Sequence, residues 1–133
     1  MNQPGDISEW VQKADGDYHS AVTLMRKRKN QAPDNVCFCV QQCVEKYLKA
    51  FLVQHRRYFP KTHELRELLD LVVQVDSSLE FIRGDLTILQ PYAVVVRYPG
   101  FSATVEKAKE AVKLMKRLRA TLRAKLGLPV EEG

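Results

Sequence analysis

The segment Arg97-Tyr98-Pro99 combines the residue types with the clearest chemical potential in this sequence. An arginine presents a planar guanidinium that binds a phosphate through two parallel hydrogen bonds, and a tyrosine ring can stack on a nucleobase. The proline restricts the backbone beside the pair. The segment therefore favours a loop that holds a phosphate and a base, although a loop with Pro99 and Gly100 needs no function to explain it.

One face of a predicted helix carries a second group of polar residues. The face contains four polar side chains at spacings of three, four and seven, and two apolar ones, namely Gln42, Glu45, Lys46 and Lys49 with Phe38 and Val53. Such residues project from the same side of a helix. The two apolar residues favour a covered surface, such as a dimer interface with polar groups in it. A solvated stripe of Glu and Lys residues is the alternative interpretation.

Histidine and cysteine are the remaining residue types that could do chemistry. His63 begins a predicted helix, where it can bind a ligand, cap the helix or simply pack. The three cysteines Cys37, Cys39 and Cys43 do not converge on a helix, because Cys37 points about 160° away from Cys39. We therefore interpret them as small core residues, and we expect no metal site and no cofactor.

The elements that must position these residues are helical. Apolar residues recur with the helical period in five segments, and no convincing strand is present. The segments cover about residues 8–28, 34–58, 62–75, 78–96 and 102–126. Long helices with short connections predict an all-α, up-and-down antiparallel bundle of about five helices, formed by a single domain over residues 1–133.

Local signals predict where these helices begin and end. Asp6 and Glu9 have the spacing of a capping box, and Asp34 and Thr62 are expected N-caps. Pro91 predicts a bend or break in the fourth segment. Gly127 is expected to end the fifth helix.

Composition excludes several classes of protein. The chain has 133 residues, 45% hydrophobic and 28% charged, which excludes a disordered chain. It has neither an apolar run of membrane-spanning length nor a secretory signal, so we expect a cytoplasmic protein. The net charge of +5 is concentrated in residues 103–126, which hold eight basic and two acidic residues. A basic stripe in this segment, consisting of Lys109, Lys113, Lys116 and Arg123, predicts an anionic partner or a solvated helix face.

Four segments together resemble a known family, the HEPN domains (higher eukaryotes and prokaryotes nucleotide-binding). Residues 39–52 are similar to the signature helix, and residues 10–17 resemble the first helix. Thr62-His63-Glu64-Leu65 stands where the family usually has Thr-His-Asp-Leu, and Arg97-Tyr98-Pro99 stands where it has Arg-Tyr-Pro. The resemblance implies a dimeric bundle of about five helices in a prokaryotic protein that binds a nucleotide. It also implies a nucleotidyltransferase partner, in some cases within a toxin–antitoxin pair.

Other branches of the same family are metal-independent ribonucleases, which use an Arg and a His four to six residues apart. No histidine follows Arg97 in this chain. Arg57 and His63 have five residues between them, but Pro60 and a predicted helix break separate them. They are therefore only weak catalytic candidates, and the resemblance favours a protein without ribonuclease activity.

Three functional hypotheses follow. The first is a non-catalytic, homodimeric module that binds a nucleotide or RNA and docks a nucleotidyltransferase. In this hypothesis the nucleotide-binding residues are Gln42, Lys46, Lys49, His63, Arg97 and Tyr98. The two lysines and the arginine bind phosphates, the tyrosine stacks on the base, and the histidine and glutamine hydrogen-bond to the base. The second is a ribonuclease toxin that uses His63 with Arg57 or Arg97. The third is a purely structural subunit that interacts with another protein and binds no nucleotide.

Overall fold

The computed structural model describes residues 6–130, and every regular element among them is helical. The five α-helices are α1 (Ile7–Arg26), α2 (Pro33–Gln54), α3 (Leu65–Val75), α4 (Arg83–Leu89) and α5 (Val105–Leu126). Two 3-10 turns, Ser77–Ile82 and Gln90–Ala93, flank α4. The predicted all-α bundle is confirmed.

Helix α2 is the spine of the bundle and packs against α1, α3, α5 and the second 3-10 turn. Its apolar residues repeat every three to four positions, so they form a broad stripe that the neighbouring helices cover. Tyr47, Leu48, Phe51 and Leu52 are almost completely buried. Cys37 and Cys43 lie in the same core, and Cys39 is half-buried at its edge. The interpretation of the cysteines as core residues is therefore right for two of the three.

The ends of α1 and α5 follow the predicted local signals. The Glu9 amide donates to Asp6 Oδ1 at 2.9 Å, and the Asp6 amide donates to Glu9 Oε1 at 3.2 Å, which closes the capping box. Gly127 ends α5 in the left-handed conformation, with φ of 76°. The Leu128 amide then donates to the Arg123 carbonyl at 2.9 Å, as in a Schellman motif.

The predicted N-cap role of Asp34 is wrong. Helix α2 begins one residue earlier, at Pro33, whose fixed φ suits the first helical position. The N-cap is Ala32, which adopts the left-handed conformation with φ of 52°. Asp34 lies inside the first turn, where its Oδ1 accepts a hydrogen bond from the Ala103 amide at 2.5 Å.

The third segment also begins later than predicted, because α3 starts at Leu65 and its N-cap is Glu64 rather than Thr62. Thr62 Oγ1 instead accepts from the Glu64 amide at 3.1 Å. The Leu65 amide donates to the side chain of Gln90 at 2.6 Å. A side chain from the second 3-10 turn thus satisfies a backbone donor that a local cap would otherwise serve.

The predicted break near Pro91 is confirmed, but the helical part of the fourth segment is shorter than the predicted residues 78–96. The segment divides into a 3-10 turn, α4 and a second 3-10 turn that contains Pro91. Pro91 has no amide hydrogen, which prevents α4 from continuing through it. Residues 94–100 then form irregular turns, so that Arg97 and Tyr98 stand on a loop.

A mostly buried charged network joins the three longest helices. Asp15 on α1 accepts hydrogen bonds from Arg119 Nε at 3.0 Å and from Arg123 Nη1 at 3.2 Å, both on α5. Tyr47 on α2 donates its hydroxyl hydrogen to Asp15 and accepts from Arg123 Nη1 at 2.9 Å. Burial, reinforced by the Asp15 carboxylate, raises the pKa of Tyr47 and keeps the hydroxyl protonated.

No helix within residues 6–130 is both long enough and apolar enough to span a bilayer.

The Asp15 network predicts unequal effects of two similar substitutions in α1. Asp15→Asn removes the charge that faces two buried guanidiniums and should lower the free energy of unfolding by about 3 kcal/mol. Asp17→Asn breaks the partly exposed pair with Lys46 and should cost less than about 1 kcal/mol. Urea unfolding of both variants measures the difference. Equal losses in the two variants would contradict a structural role for the Asp15 network.

Burial also predicts slow thiol chemistry in the folded protein. Burial raises the pKa of Cys37 to about 12 and raises the pKa of Cys39 and Cys43 as well, so the reactive thiolate is scarce at pH 8. With an aromatic disulfide reagent, at most the half-buried Cys39 should react promptly, and all three thiols should react in guanidinium. Cys39→Ser serves as the matched control. Prompt reaction of all three thiols without denaturant would show that the core is open.

Candidate functional site

Three of the predicted binding residues meet around the carboxylate of Glu45. Lys49 Nζ lies 3.0 Å from Glu45 Oε2, and His63 Nδ1 lies 3.0 Å from Glu45 Oε1. Gln42 Nε2 approaches the same Oε1 at 3.4 Å. Glu45 is only 3% exposed, so its charge is stabilised by these partners rather than by water. We did not predict Glu45 as a site residue, although its spacing of four from Lys49 was a usable signal.

Lys49 is enclosed by the chain itself. Its side chain is buried, and its Nζ lies 5.7 Å from the ring centres of both Trp10 and Phe59. An ammonium at this distance from aromatic faces gains cation–π stabilisation. The prediction that this face of α2 is covered is right, but at this end the cover is α1 and the α2–α3 loop of the same chain rather than a second subunit.

Two glutamine side chains position His63 beside Glu45 by donating hydrogen bonds to its backbone carbonyl. The His63 carbonyl accepts from Gln41 Nε2 at 2.9 Å and from Gln90 Nε2 at 3.4 Å. The imidazole side chain remains 55% exposed. A carboxylate beside Nδ1 favours the tautomer in which Nδ1 carries the hydrogen, which leaves Nε2 with a lone pair. His63 can therefore accept a proton or a hydrogen bond from a molecule outside the bundle.

Two other predicted residues lie apart from the Glu45 group. Lys46 turns toward α1 and pairs with Asp17 at 2.6 Å, where both side chains are less than a quarter exposed. Arg57 is exposed just beyond the end of α2, and its amide donates to the Leu52 carbonyl at 2.9 Å. Lys46 therefore links α2 to α1, whereas the position of Arg57 is set by the backbone hydrogen bond at the end of α2.

Arg97 packs against the same face of α2 that carries Glu45. Its guanidinium carbon lies 5.7 Å from the ring centre of Phe38. Phe38 precedes Glu45 by seven residues, which is two helical turns, or about 10 Å along the axis. Among residues 6–130, no hydrogen bond or ion pair involves the Arg97 guanidinium. Its donors are therefore available to an anion at a site two turns from His63.

A shallow cleft of about 410 Å³ lies beside Arg97, where the loop after the second 3-10 turn passes the start of α2. Its lining combines an acid, a base, an amide and two exposed aromatic rings: Asp34, Asn35, Val95, Val96, Arg97, Tyr98, Pro99 and Phe101. Tyr98 and Phe101 are 56% and 53% exposed. The cleft is open to solvent, and more of its accessible lining is polar than apolar.

The predicted basic stripe on α5 is only partly correct. Lys109, Lys113 and Lys116 are exposed, as expected. Arg123 is buried and forms part of the Asp15 network, so it does not belong to that surface. The helical period groups the four residues on one face, but α1 covers the end of that face.

The sequence was also compared with known proteins. The family model described as the HEPN domain matches residues 7–125, which is most of the chain. Searches of curated proteins and of solved structures found no match. The matched range contains the Glu45 group, the Arg97 cleft and all five helices except the last residue of α5. The chain therefore belongs to the HEPN domain family, a family of helical modules whose functions involve nucleotides or RNA.

Proposed function

We propose that this chain is a non-catalytic module that binds a nucleotide or RNA through the Arg97 cleft. The proposal rests chiefly on one observation: the exposed Arg97 guanidinium has no carboxylate partner among residues 6–130 and lies beside two exposed aromatic rings. Arg97 would bind a phosphate through paired hydrogen bonds, and Tyr98 would stack on the base. The Phe38 ring behind Arg97 limits the directions in which the guanidinium can point.

The other predicted residues take supporting positions in this proposal. Lys49 and Lys46 already have partners within the chain, so neither is the first contact for a phosphate. Gln42 and His63 would hydrogen-bond to more distant parts of a ligand that extends from the cleft along α2. The exposed lysines of α5 would raise the local concentration of an anionic ligand by long-range attraction.

The cellular part of the proposal rests on the family. We propose a homodimer in the cytoplasm of a prokaryote, which acts with a nucleotidyltransferase in a toxin–antitoxin-like or regulatory system. Two large apolar residues are compatible with self-association, because Phe81 in the first 3-10 turn is 71% exposed and Ile88 in α4 is 44% exposed. Exposed apolar groups of this kind favour protein contacts.

Ligand-dependent thermal stability tests the binding proposal. A ligand at about 100 times its Kd adds about 2.7 kcal/mol to the free energy of unfolding, which should raise Tm by several degrees. ATP, GTP and a short RNA are each added in large excess to the full chain. We expect a rise in Tm with at least one of them, and no rise in Arg97→Ala.

The matched control is Arg66→Ala, which removes another exposed arginine, from α3. This variant should keep the ligand-dependent rise in Tm. The absence of a rise with all three ligands in the unaltered protein would overturn the binding proposal and favour the purely structural subunit.

A second candidate function is a metal-independent ribonuclease, and the His63–Glu45 pair specifically favours it. A buried carboxylate beside Nδ1 orients the ring, and the exposed Nε2 could take the proton from an RNA 2′-hydroxyl. The resulting 2′-oxygen would attack phosphorus to form a 2′,3′-cyclic phosphate, and the displaced 5′-oxygen would take a proton from water. Arg97, two helical turns away, would bind a neighbouring phosphate of the RNA.

Cleavage of a labelled RNA in the presence of EDTA separates this candidate from the first. Ribonuclease activity should fall by at least about 100-fold in His63→Ala. It should persist in His19→Ala, which removes an exposed histidine of α1. No cleavage by the unaltered protein would eliminate the ribonuclease candidate and leave the binding module.

A further inference from the structure

The Arg97 cleft contains a carboxylate as well as a guanidinium. Asp34 lines the cleft from the first turn of α2, and its Oδ1 accepts the Ala103 amide at 2.5 Å. This bond joins the loop to α2 and sets the orientation of the carboxylate. Oδ2 forms no hydrogen bond with any of the residues between 6 and 130. Since a carboxylate has about four acceptor positions, most of its capacity remains free.

Asp34 and Arg97 line the same cleft without forming an ion pair with each other or with another described residue. Opposite charges that share a cleft in this way can contact different parts of one ligand. Arg97 suits an anionic group, and Asp34 suits neighbouring N–H donors. The exposed rings of Tyr98 and Phe101 line the same cleft and can stack on a flat ring system.

We propose that the cleft selects guanine, with Asp34 accepting hydrogen bonds from the N1–H and N2–H₂ groups of the base. This inference rests on the proposed function, because a chain that binds no nucleotide cannot select a base. It identifies Asp34 as the residue that determines specificity and guanine nucleotides, free or within RNA, as the ligand class.

The choice among bases follows from the order of donors and acceptors on their pairing edges. Guanine presents two adjacent donors, which match an acceptor-only carboxylate. Adenine and cytosine each place an acceptor nitrogen beside their amino group, and uracil places a carbonyl on each side of its single N–H. An acceptor placed against a carboxylate is repelled, so the other three bases lose affinity at this position.

Calorimetric titration of the full chain with GMP, IMP and AMP tests the inference. A bidentate contact to a base changes affinity by about tenfold or more, so GMP should bind at least tenfold more tightly than AMP. IMP lacks the N2 amino group and should lie between them. The same titration is repeated with the pentanucleotide RNAs UUGUU and UUAUU. If the protein distinguishes these two RNAs but not GMP from AMP, the ligand is a guanine within RNA rather than a free nucleotide.

Asp34→Asn is the informative variant. The asparagine oxygen can still accept the Ala103 amide, but an amide donor then replaces the free carboxylate oxygen. GMP affinity should fall to about that of AMP, and AMP affinity should change by less than about twofold. Asp70→Asn, which alters an exposed carboxylate paired with Arg83, should leave the preference for GMP intact.

Equal affinity for the guanine and adenine ligands in both titrations would overturn the inference. If that equal binding is lost in Arg97→Ala, nucleotide binding stands and only guanine selection fails. If no ligand binds the unaltered protein, both the inference and the proposed function fail. If Asp34→Asn does not fold, the GMP, IMP and AMP series on the unaltered protein still decides the matter.

Discussion

One carboxylate, that of Asp15, determines how the three longest helices face one another. It joins α1 to Arg119 and Arg123 on α5, and its bond to Tyr47 includes α2 in the same network. Tyr47 lies nine residues after Phe38, which places the two side chains on opposite sides of α2. Because the network fixes the rotation of α2 at Tyr47, it also determines that Phe38 faces Arg97.

A second buried carboxylate organises the functional face. Glu45 needs several donors to remain charged in the interior, and it obtains them from Lys49, His63 and Gln42. The hydrogen bond between Glu45 and His63 therefore holds the α2–α3 loop against α2 and keeps the His63 imidazole at the surface. Stability and site geometry depend on the same contacts here, and a substitution at Glu45 would alter both together.

The sequence predicted the features that depend on local information. Helical periods, the capping box at Asp6 and the glycine stop at Gly127 are each encoded within a few residues. The errors arose where distant residues decide the outcome. Asp34 accepts a hydrogen bond from Ala103, which is 69 positions away, and Arg123 pairs with Asp15, which is 108 positions away. Among the predicted site residues, Gln42, Lys49 and His63 lie close together, but only tertiary contacts identify Glu45 as their common partner.

The Asp15 network also bears on the order in which this protein can fold during synthesis. Its two cationic members on α5 follow Asp15 by 104 and 108 residues. Within residues 6–54, an α1–α2 hairpin that emerges before α5 offers this carboxylate only the Tyr47 hydroxyl. At about 5–20 residues per second, several seconds pass before α5 is available. During that interval the part of the α2 apolar stripe that α3 and α5 later cover is exposed, which favours aggregation of the incomplete chain.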